Sequence, residues 1–252
     1  MRIQANLTLS SYLCQHYDSP WELLPQNHPL LALLRDHYSQ DFYTTMIELG
    51  SPFLTKRQRV LDVGCGVGRS VYELSSHVER VYGVEYSFGS ALIARRMLRH
   101  IPVGMDGYSV KLDGDIYVRR SLPDVKRDNV EIIVASGDNL PFREGAFDVV
   151  NHWNVIDRVP DQEKLLDEQE RILIDAGIAI MADPYTWETG FSPRSHWLGG
   201  RDSLRSIDAV HKHIQKTCQI LDEREYVPWL SWKYERNFSL FYCHALVVQK
   251  RK

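Results

Sequence analysis

Residues 60–70 read Val60-Leu61-Asp62-Val63-Gly64-Cys65-Gly66-Val67-Gly68-Arg69-Ser70, a short apolar strand that runs straight into three alternating glycines and then a helix. Glycines at such a turn let the backbone double back and approach a ligand with no Cβ in the way. The exposed N–H groups of the following helix favour a negative group. The spacing is G-x-G-x-G, with Arg69 where the dinucleotide fingerprint places its third small residue, so pyrophosphate is disfavoured and a ligand carboxylate fits better.

The chain around this loop alternates strand and helix. A helix is expected from Ser70 to Val78, a second strand over Val81 to Glu85, and a helix from about Phe88 to His100. Further strands are expected at Glu131 to Val134, Phe147 to Asn151 and Gly177 to Met181, with a helix from about Asp161 to Ile174 before the last. Such alternation implies parallel pairing with right-handed crossovers, and therefore an α/β, doubly wound, Rossmann-like sheet. Two segments depart from it. Asp113-Gly114 separates two strand-like runs and predicts a hairpin inserted at 101–130. Thr217 to Val227 and Phe238 to Gln249 are rich in β-branched and aromatic residues and predict an antiparallel C-terminal pair at the sheet edge. Upstream, Leu30, Leu31, Leu34, Tyr38, Phe42 and Met46 recur at helical intervals from Pro29 to Gly50, within an N-terminal helical cap covering 1–58. No repeat or flexible linker interrupts the chain, so one domain over 1–252 is expected.

Composition narrows the function. Thirty basic and thirty-three acidic residues leave a net charge of −3, which provides no field to recruit nucleic acid or a membrane surface. No run reaches the roughly 18 apolar residues of a membrane span, no secretory leader pattern opens the sequence, and a cytoplasmic protein is expected. The acceptor patterns at Asn6 and Asn237 carry little weight in that setting. Cys14, Cys65, Cys218 and Cys243 lie far apart without a CxxC pair, so neither a disulfide framework nor a cysteine metal knot is expected. His211 and His213, two apart on an expected helix, cannot chelate one ion together. No metal is predicted, and the expected partner is a small molecule.

Glu85 closes the second strand 21 residues after Gly64, about where α/β nucleotide sites place the acid that accepts both ribose hydroxyls. Asp138, in Ser136-Gly137-Asp138-Asn139-Leu140-Pro141-Phe142 after the third strand, is placed to accept from an exocyclic adenine amine. The Asp62 to Gly68 loop, Glu85 and Asp138 together resemble the class I S-adenosylmethionine-dependent methyltransferases. That resemblance implies S-adenosylmethionine as cofactor and S-adenosylhomocysteine as product. It implies a cofactor site of Asp62, Gly64, Cys65, Gly66, Gly68, Glu85, Tyr86, Ser87, Gly137, Asp138, Asn139, Asn151 and His152.

A narrower resemblance lies in Asn154-Val155-Ile156-Asp157-Arg158-Val159-Pro160, in Asp183-Pro184-Tyr185-Thr186-Trp187, and in Trp197-Leu198-Gly199-Gly200. These segments, with the Tyr12-Leu13 and His16-Tyr17 region, are similar to the C-terminal methyltransferase domain of bifunctional ovothiol synthase, which methylates an imidazole nitrogen of 5-thiohistidine. The likeness runs from about Tyr12 to Lys252. That family's fused iron-dependent sulfoxide synthase region has no counterpart in the sequence, so a separate sulfoxide or selenoxide synthase is expected upstream. The substrate stays open between 5-thiohistidine, 5-selenohistidine, another thioimidazole and histidine itself. The residues agree on class: Arg158 offers a fork for a carboxylate, Asn154 and Asp157 offer acceptors, and Tyr17, Tyr185, Trp187 and Trp197 offer aromatic walls. Asp157 and Tyr185 are the candidates to select the reactive tautomer of the ring. A cofactor-holding module without turnover is the competing class.

Overall fold

The computed structural model describes residues 7–37, 41–99, 101, 102, 104 and 106–252. Helices α1 (Leu7–Tyr17), α2 (Pro20–Leu23), α3 (Pro29–His37) and α4 (Phe42–Gly50) precede strand β1 (Arg59–Val63). Then come α5 (Arg69–Leu74), β2 (Arg80–Glu85) and α6 (Phe88–Leu98), the hairpin β3 (Gly107–Asp113) and β4 (Ile116–Ser121), and β5 (Val130–Val134). The chain closes with β6 (Phe147–Trp153), α7 (Gln162–Ile172), β7 (Leu173–Asp183), α8 (Ser206–Ile214), β8 (Cys218–Tyr234) and β9 (Asn237–Lys250). No described helix is long and apolar enough to cross a membrane.

Seven strands form one sheet in the order β5-β2-β1-β6-β7-β9-β8, and β3-β4 form a second sheet of two. From β5 to β7 every pairing is parallel, while β9 runs antiparallel to both β7 and β8. The α/β sheet, the antiparallel edge and the hairpin expected from sequence are all present. The chain leaves β1 toward β2 and β5, then returns to β6 on the other side, so the strand order reverses between β1 and β6. Ligands of doubly wound sheets bind outside the carboxyl ends at such a reversal.

Alternate residues of each inner strand serve opposite faces. Val60 and Val149 join a core with α1, α3, α4, α5 and α6, whereas Leu61, Val63 and Val150 join another with α7 and α8. The hairpin packs on the N-terminal helices and on β8: Tyr108 donates to Asp18 at 2.8 Å, and the Trp232 indole of β8 donates to the Lys111 carbonyl at 3.4 Å.

The boundaries differ from expectation where local capping or pairing intervenes. The stripe from Pro29 to Gly50 is two helices, because Asp41 adopts an extended backbone and its carboxylate accepts from Thr44 N at 3.1 Å, which starts α4 afresh. Tyr38 and Asn6 lie outside the described residues. The helix after the glycine loop ends at Leu74 instead of Val78. β7 follows α7 with no loop and begins at Leu173, and β8 and β9 extend to Tyr234 and Asn237 at a two-residue turn.

His152 on β6 is 1% exposed, and its Nε2 lies 2.8 Å from Gln169 of α7. Burial pushes its pKa down to about 4, against a partial upward pull from Gln169. The neutral ring is therefore favoured by folding. Between the ordinary value near 6.5 and 4 the unfolded chain binds the extra proton, so stability falls as the pH drops through that window. Relative to the wild type, His152→Gln is expected to gain stability in urea unfolding on acidification from pH 7 to 5, by up to about 1.4 kcal/mol per pH unit; parallel pH profiles for the two proteins would remove the assignment.

Candidate functional site

Loops after Val63, Glu85, Val134, Trp153 and Asp183 leave the same edge of the sheet, since these strands are parallel and in register. At the centre, buried Asp62 accepts from the Ser70 hydroxyl at the start of α5 and from the Asn151 amide of β6. This fixes the two walls of the crevice to each other. Burial raises the Asp62 pKa to about 7, while the hydrogen bonds from Ser70 and Asn151 oppose the rise. Two of the glycines are required by space and backbone together. Gly64 has φ 74° and a Cβ there would fall 2.4 Å from Val155; Gly68 has φ 90° and a Cβ would fall 2.8 Å from Leu98.

Glu85 accepts from Gly66 N at 3.0 Å and from Ser87 N at 2.7 Å, so the strand-two acid is aimed at the glycine loop. Burial raises its pKa, with these backbone donors opposing. Tyr86 beside it is 79% exposed. Asp138 accepts from Ser136 in the turn after β5.

Helix α1 lies over this loop. Tyr17 donates to the Val67 carbonyl at 3.1 Å, and Arg69 donates to the His16 carbonyl at 3.1 Å while pairing with Glu73 at 2.7 Å. His16 Nδ1 is shut off from solvent and has no hydrogen-bond partner. Burial, followed by the charge of Arg69, pushes the His16 pKa down to about 3, so this ring is neutral. One turn earlier, burial raises the Tyr12 phenol; Glu85 adds to the rise and Arg158 opposes it, so Tyr12 lies within electrostatic range of both. A cavity of about 340 Å³ behind the loop is shared by His16, Tyr17, Tyr43, Arg69 and Trp229.

On the other side of the reversal, buried Asp157 accepts from Thr186 N at 3.0 Å and from the Thr186 hydroxyl. Its Oδ1 faces Arg158 Nε at 3.2 Å. Arg158 also donates to Glu188 at 2.8 Å and to Thr186 at 3.0 Å. Asp183, at the end of β7, is 2% exposed and accepts from Tyr185 N at 2.7 Å, yet its Oδ2 has no hydrogen-bond partner. Burial first and Asp157 second hold the Asp183 carboxyl well above the ordinary range. Asn154 and Tyr185 both have positive φ, 58° and 55°, a strain that non-glycine residues adopt where surrounding structure fixes them. Tyr185 stacks on Trp187 at 25°, and Trp187 on Trp197 at 18°. The Tyr185 hydroxyl is 2.8 Å from His244 Nδ1, and Asn154 Oδ1 accepts from the Cys243 thiol at 3.2 Å.

Known proteins share this fold. Residues 61–181 match the methyltransferase domain family. The YcgJ protein of Bacillus subtilis superposes with a TM-score of 0.55 at 15% identity, covering 84% of this chain and 98% of that one. The N-methyltransferase NodS of Bradyrhizobium japonicum gives 0.53 at 10% identity, covering 83% and 94%. In sequence, an uncharacterised methyltransferase of Mycobacterium sp. strain KMS is 36% identical over 90 residues, 32% of this chain and 34% of that protein. Norajmaline N-methyltransferase of Rauvolfia serpentina is 24% identical over 176 residues, 70% of this chain and 51% of that one. The chain thus spans about a third of the length of the mycobacterial relative and half that of the plant one.

Residues 61–181 are thus similar to a methyltransferase domain.

The methyltransferase family and fold imply S-adenosylmethionine as cofactor. The residues present fit such a group. Glu85 spends one lone pair per oxygen on backbone donors and keeps others for ribose hydroxyls. Gly66 is held open at His16, where a Cβ would fall 2.9 Å from Cε1 and 3.2 Å from Nε2, with the unpartnered Nδ1 farther off at 3.9 Å. Several side chains assigned to the cofactor from sequence have other employment. Asp62 and Asn151 hold each other, His152 is buried against Gln169, and Cys65 packs in the core with its thiol pushed well up by burial. They shape the methyltransferase loop from behind, because alternate strand residues must point into the layers. Tyr17, assigned to the substrate, has its hydroxyl on the glycine loop instead. The remaining substrate candidates, Asn154, Asp157, Arg158, Tyr185, Trp187 and Trp197, share one side of the crevice. Sequence reasoning missed Asp183 and His16 as site groups; both stand beside quoted motifs, and only burial with an empty lone pair reveals them.

Glu85→Ala is expected to abolish measurable S-adenosylhomocysteine binding in titration calorimetry while the circular dichroism spectrum is retained. Unchanged affinity would detach Glu85 from the cofactor.

Proposed function

We propose that the protein methylates an imidazole nitrogen of a small zwitterionic amino acid, the Nπ of 5-thiohistidine or its selenium analogue 5-selenohistidine. The observation that carries this reading is the stack of Tyr185, Trp187 and Trp197 beside two buried carboxyls, Asp157 and Asp183, and a guanidinium, Arg158. Flat apolar faces suit an imidazole, an under-neutralised pair of acids suits an ammonium, and an arginine suits a carboxylate. Nitrogen as the acceptor is supported by two of the relatives, which are named N-methyltransferases.

Bound S-adenosylmethionine would supply an activated methyl on a sulfonium. The protein's task is then position. The aromatic stack orients the ring plane and excludes water, and alignment of the attacking nitrogen with the methyl can contribute several kcal/mol. Arg158 has five N–H groups, of which one on each terminal nitrogen is free of the bonds to Glu188 and Thr186, a pair matched to a carboxylate. Asp183 has the empty lone pair that an ammonium or a ring N–H can fill. The Tyr185 hydroxyl, held by His244, is the second group able to fix the tautomer. A separate sulfoxide or selenoxide synthase would supply the chalcogen-bearing histidine.

The test is a competition: purified protein, S-adenosylmethionine, and equal 5-thiohistidine, 5-selenohistidine and histidine, with products resolved by mass spectrometry. Methylation confined to the thiol or selenol compound is expected; no methylation of any of the three, with cofactor still bound, would overturn the substrate and favour a binding module. Arg158→Ala and Trp187→Ala are expected to raise KM roughly ten- to hundredfold with little change in cofactor affinity, and wild-type kinetics in both would remove the pocket.

A further inference from the structure

Behind Tyr185, three side chains from three elements converge. His244 on β9 and Glu223 on β8 are diagonal neighbours, since Glu223 pairs with Leu246 two residues along. His211 comes from α8, which covers that face. His244 Nε2 lies 2.7 Å and His211 Nε2 2.9 Å from the same oxygen, Glu223 Oε1, and the three ligand atoms all lie within 4.8 Å of one another. The two imidazole rings meet edge to face, with centroids 5.4 Å apart.

A carboxylate bridging two histidines accounts for His244, whose Nε2 is in hydrogen-bond geometry with Glu223. It does not account for His211. Its Nε2 is shut off from solvent and has no hydrogen-bond partner, although Glu223 Oε1 is 2.9 Å away. The contact is close but outside hydrogen-bond geometry, and the described residues give this nitrogen no other partner. Ligands around one ion show this relation: atoms each about 2.0–2.2 Å from zinc stand roughly 3 Å apart without bonding one another.

We infer that His211, Glu223 and His244 form a binding site for one divalent transition-metal ion of the zinc type. Two imidazoles and a carboxylate are a donor set for zinc, nickel or copper, and a poor one for magnesium or calcium, which take oxygen shells. The Tyr185 hydroxyl, 2.8 Å from His244 Nδ1, supplies the outer hydrogen bond that orients a ligating histidine. His213 takes no part, since its Nε2 is 3.0 Å from Asp167. The ion would tie α8 to the β8-β9 edge and brace the loop that carries Tyr185, whatever substrate the crevice accepts.

The full chain, stripped with chelator and dialysed against zinc, is expected to retain one ion per chain. His211→Ala and Glu223→Gln should each weaken binding at least tenfold, and His213→Ala should leave it unchanged. Cobalt(II) should give visible ligand-field bands without the thiolate charge-transfer band of cysteine ligation, and excess magnesium should not compete. Zinc should raise the Tm of the wild type and of His213→Ala, and not that of the two site variants. Far-ultraviolet circular dichroism confirms folding, and either site variant alone suffices if the other does not fold. Substoichiometric zinc in the wild type, or equal zinc in wild type and both site variants, would overturn the site and leave a hydrogen-bonded His-Glu-His bridge. No readout depends on methyl transfer, so failure here and failure of the proposed activity are separate results.

Discussion

The buried carboxylate of Asp62 joins β6, across the reversal point, to the helix that follows the glycine loop. Its donors, Ser70 and Asn151, come from α5 and β6, the two elements that would otherwise be free to separate where the crevice opens. Taking one carboxylate out of water is costly: burial raises its pKa to about 7, with the charge of Glu85 adding to the rise and the two donors opposing it. Both donors act on the geometry of one loop. With Ser70 held, the start of α5 is held, and the loop before it is pinned to β2, where Gly64 N and Cys65 N donate to the Val84 carbonyl and Gly66 N to Glu85.

This arrangement explains which parts of the molecule were legible in the sequence. The parallel core was, because strands such as Val60 to Val63 are apolar on both faces and each is followed by a helix. Glu85 and Asp138 were legible because a strand end fixes where its next residue emerges. The roles of Asn151 and His152 were not, because a strand sends neighbouring side chains to opposite layers, and which of them meets a partner depends on the register with β1 and the packing of α7. The break at Asp41 is written in a single capping residue that competes with an uninterrupted apolar stripe, and the stripe alone predicts one helix. The expected strand stopped at Val227, just before Pro228, yet β8 is an edge strand, where a proline is tolerated, and it runs on to Tyr234, with a bulge between Arg224 and Val227 that places Tyr226 at φ 62°.

Charge divides the crevice in two. On the cofactor side Glu85 accepts one backbone donor at each oxygen and Arg69 is neutralised by Glu73, so the groups left over are the remaining Glu85 lone pairs and the neutral His16. On the other side Asp157 and Asp183 are crowded together out of water, and Arg158 is shared with Glu188, which leaves that half with more negative than positive capacity. A ligand carrying positive charge relieves the crowding and one without it does not. The preference for a cationic or hydrogen-donating centre is thus built into the pair of acids, independent of which ring the aromatic stack receives.

Tyr185 is where these demands meet. Its backbone is strained at φ 55°, its N–H is spent on Asp183, its ring leans on Trp187, and its hydroxyl is spent on His244. A strained residue persists only when its surroundings over-determine it. Here two of the three restraints come from neighbours in the same loop and strand, and the third from β9, the antiparallel strand added at the edge of the parallel sheet. His244 is fixed in turn by Glu223 on β8. The C-terminal strand pair therefore does more than close the sheet: through His244 it reaches the loop after β7 and sets the position of the aromatic wall, which makes the edge of the fold part of the site at its centre.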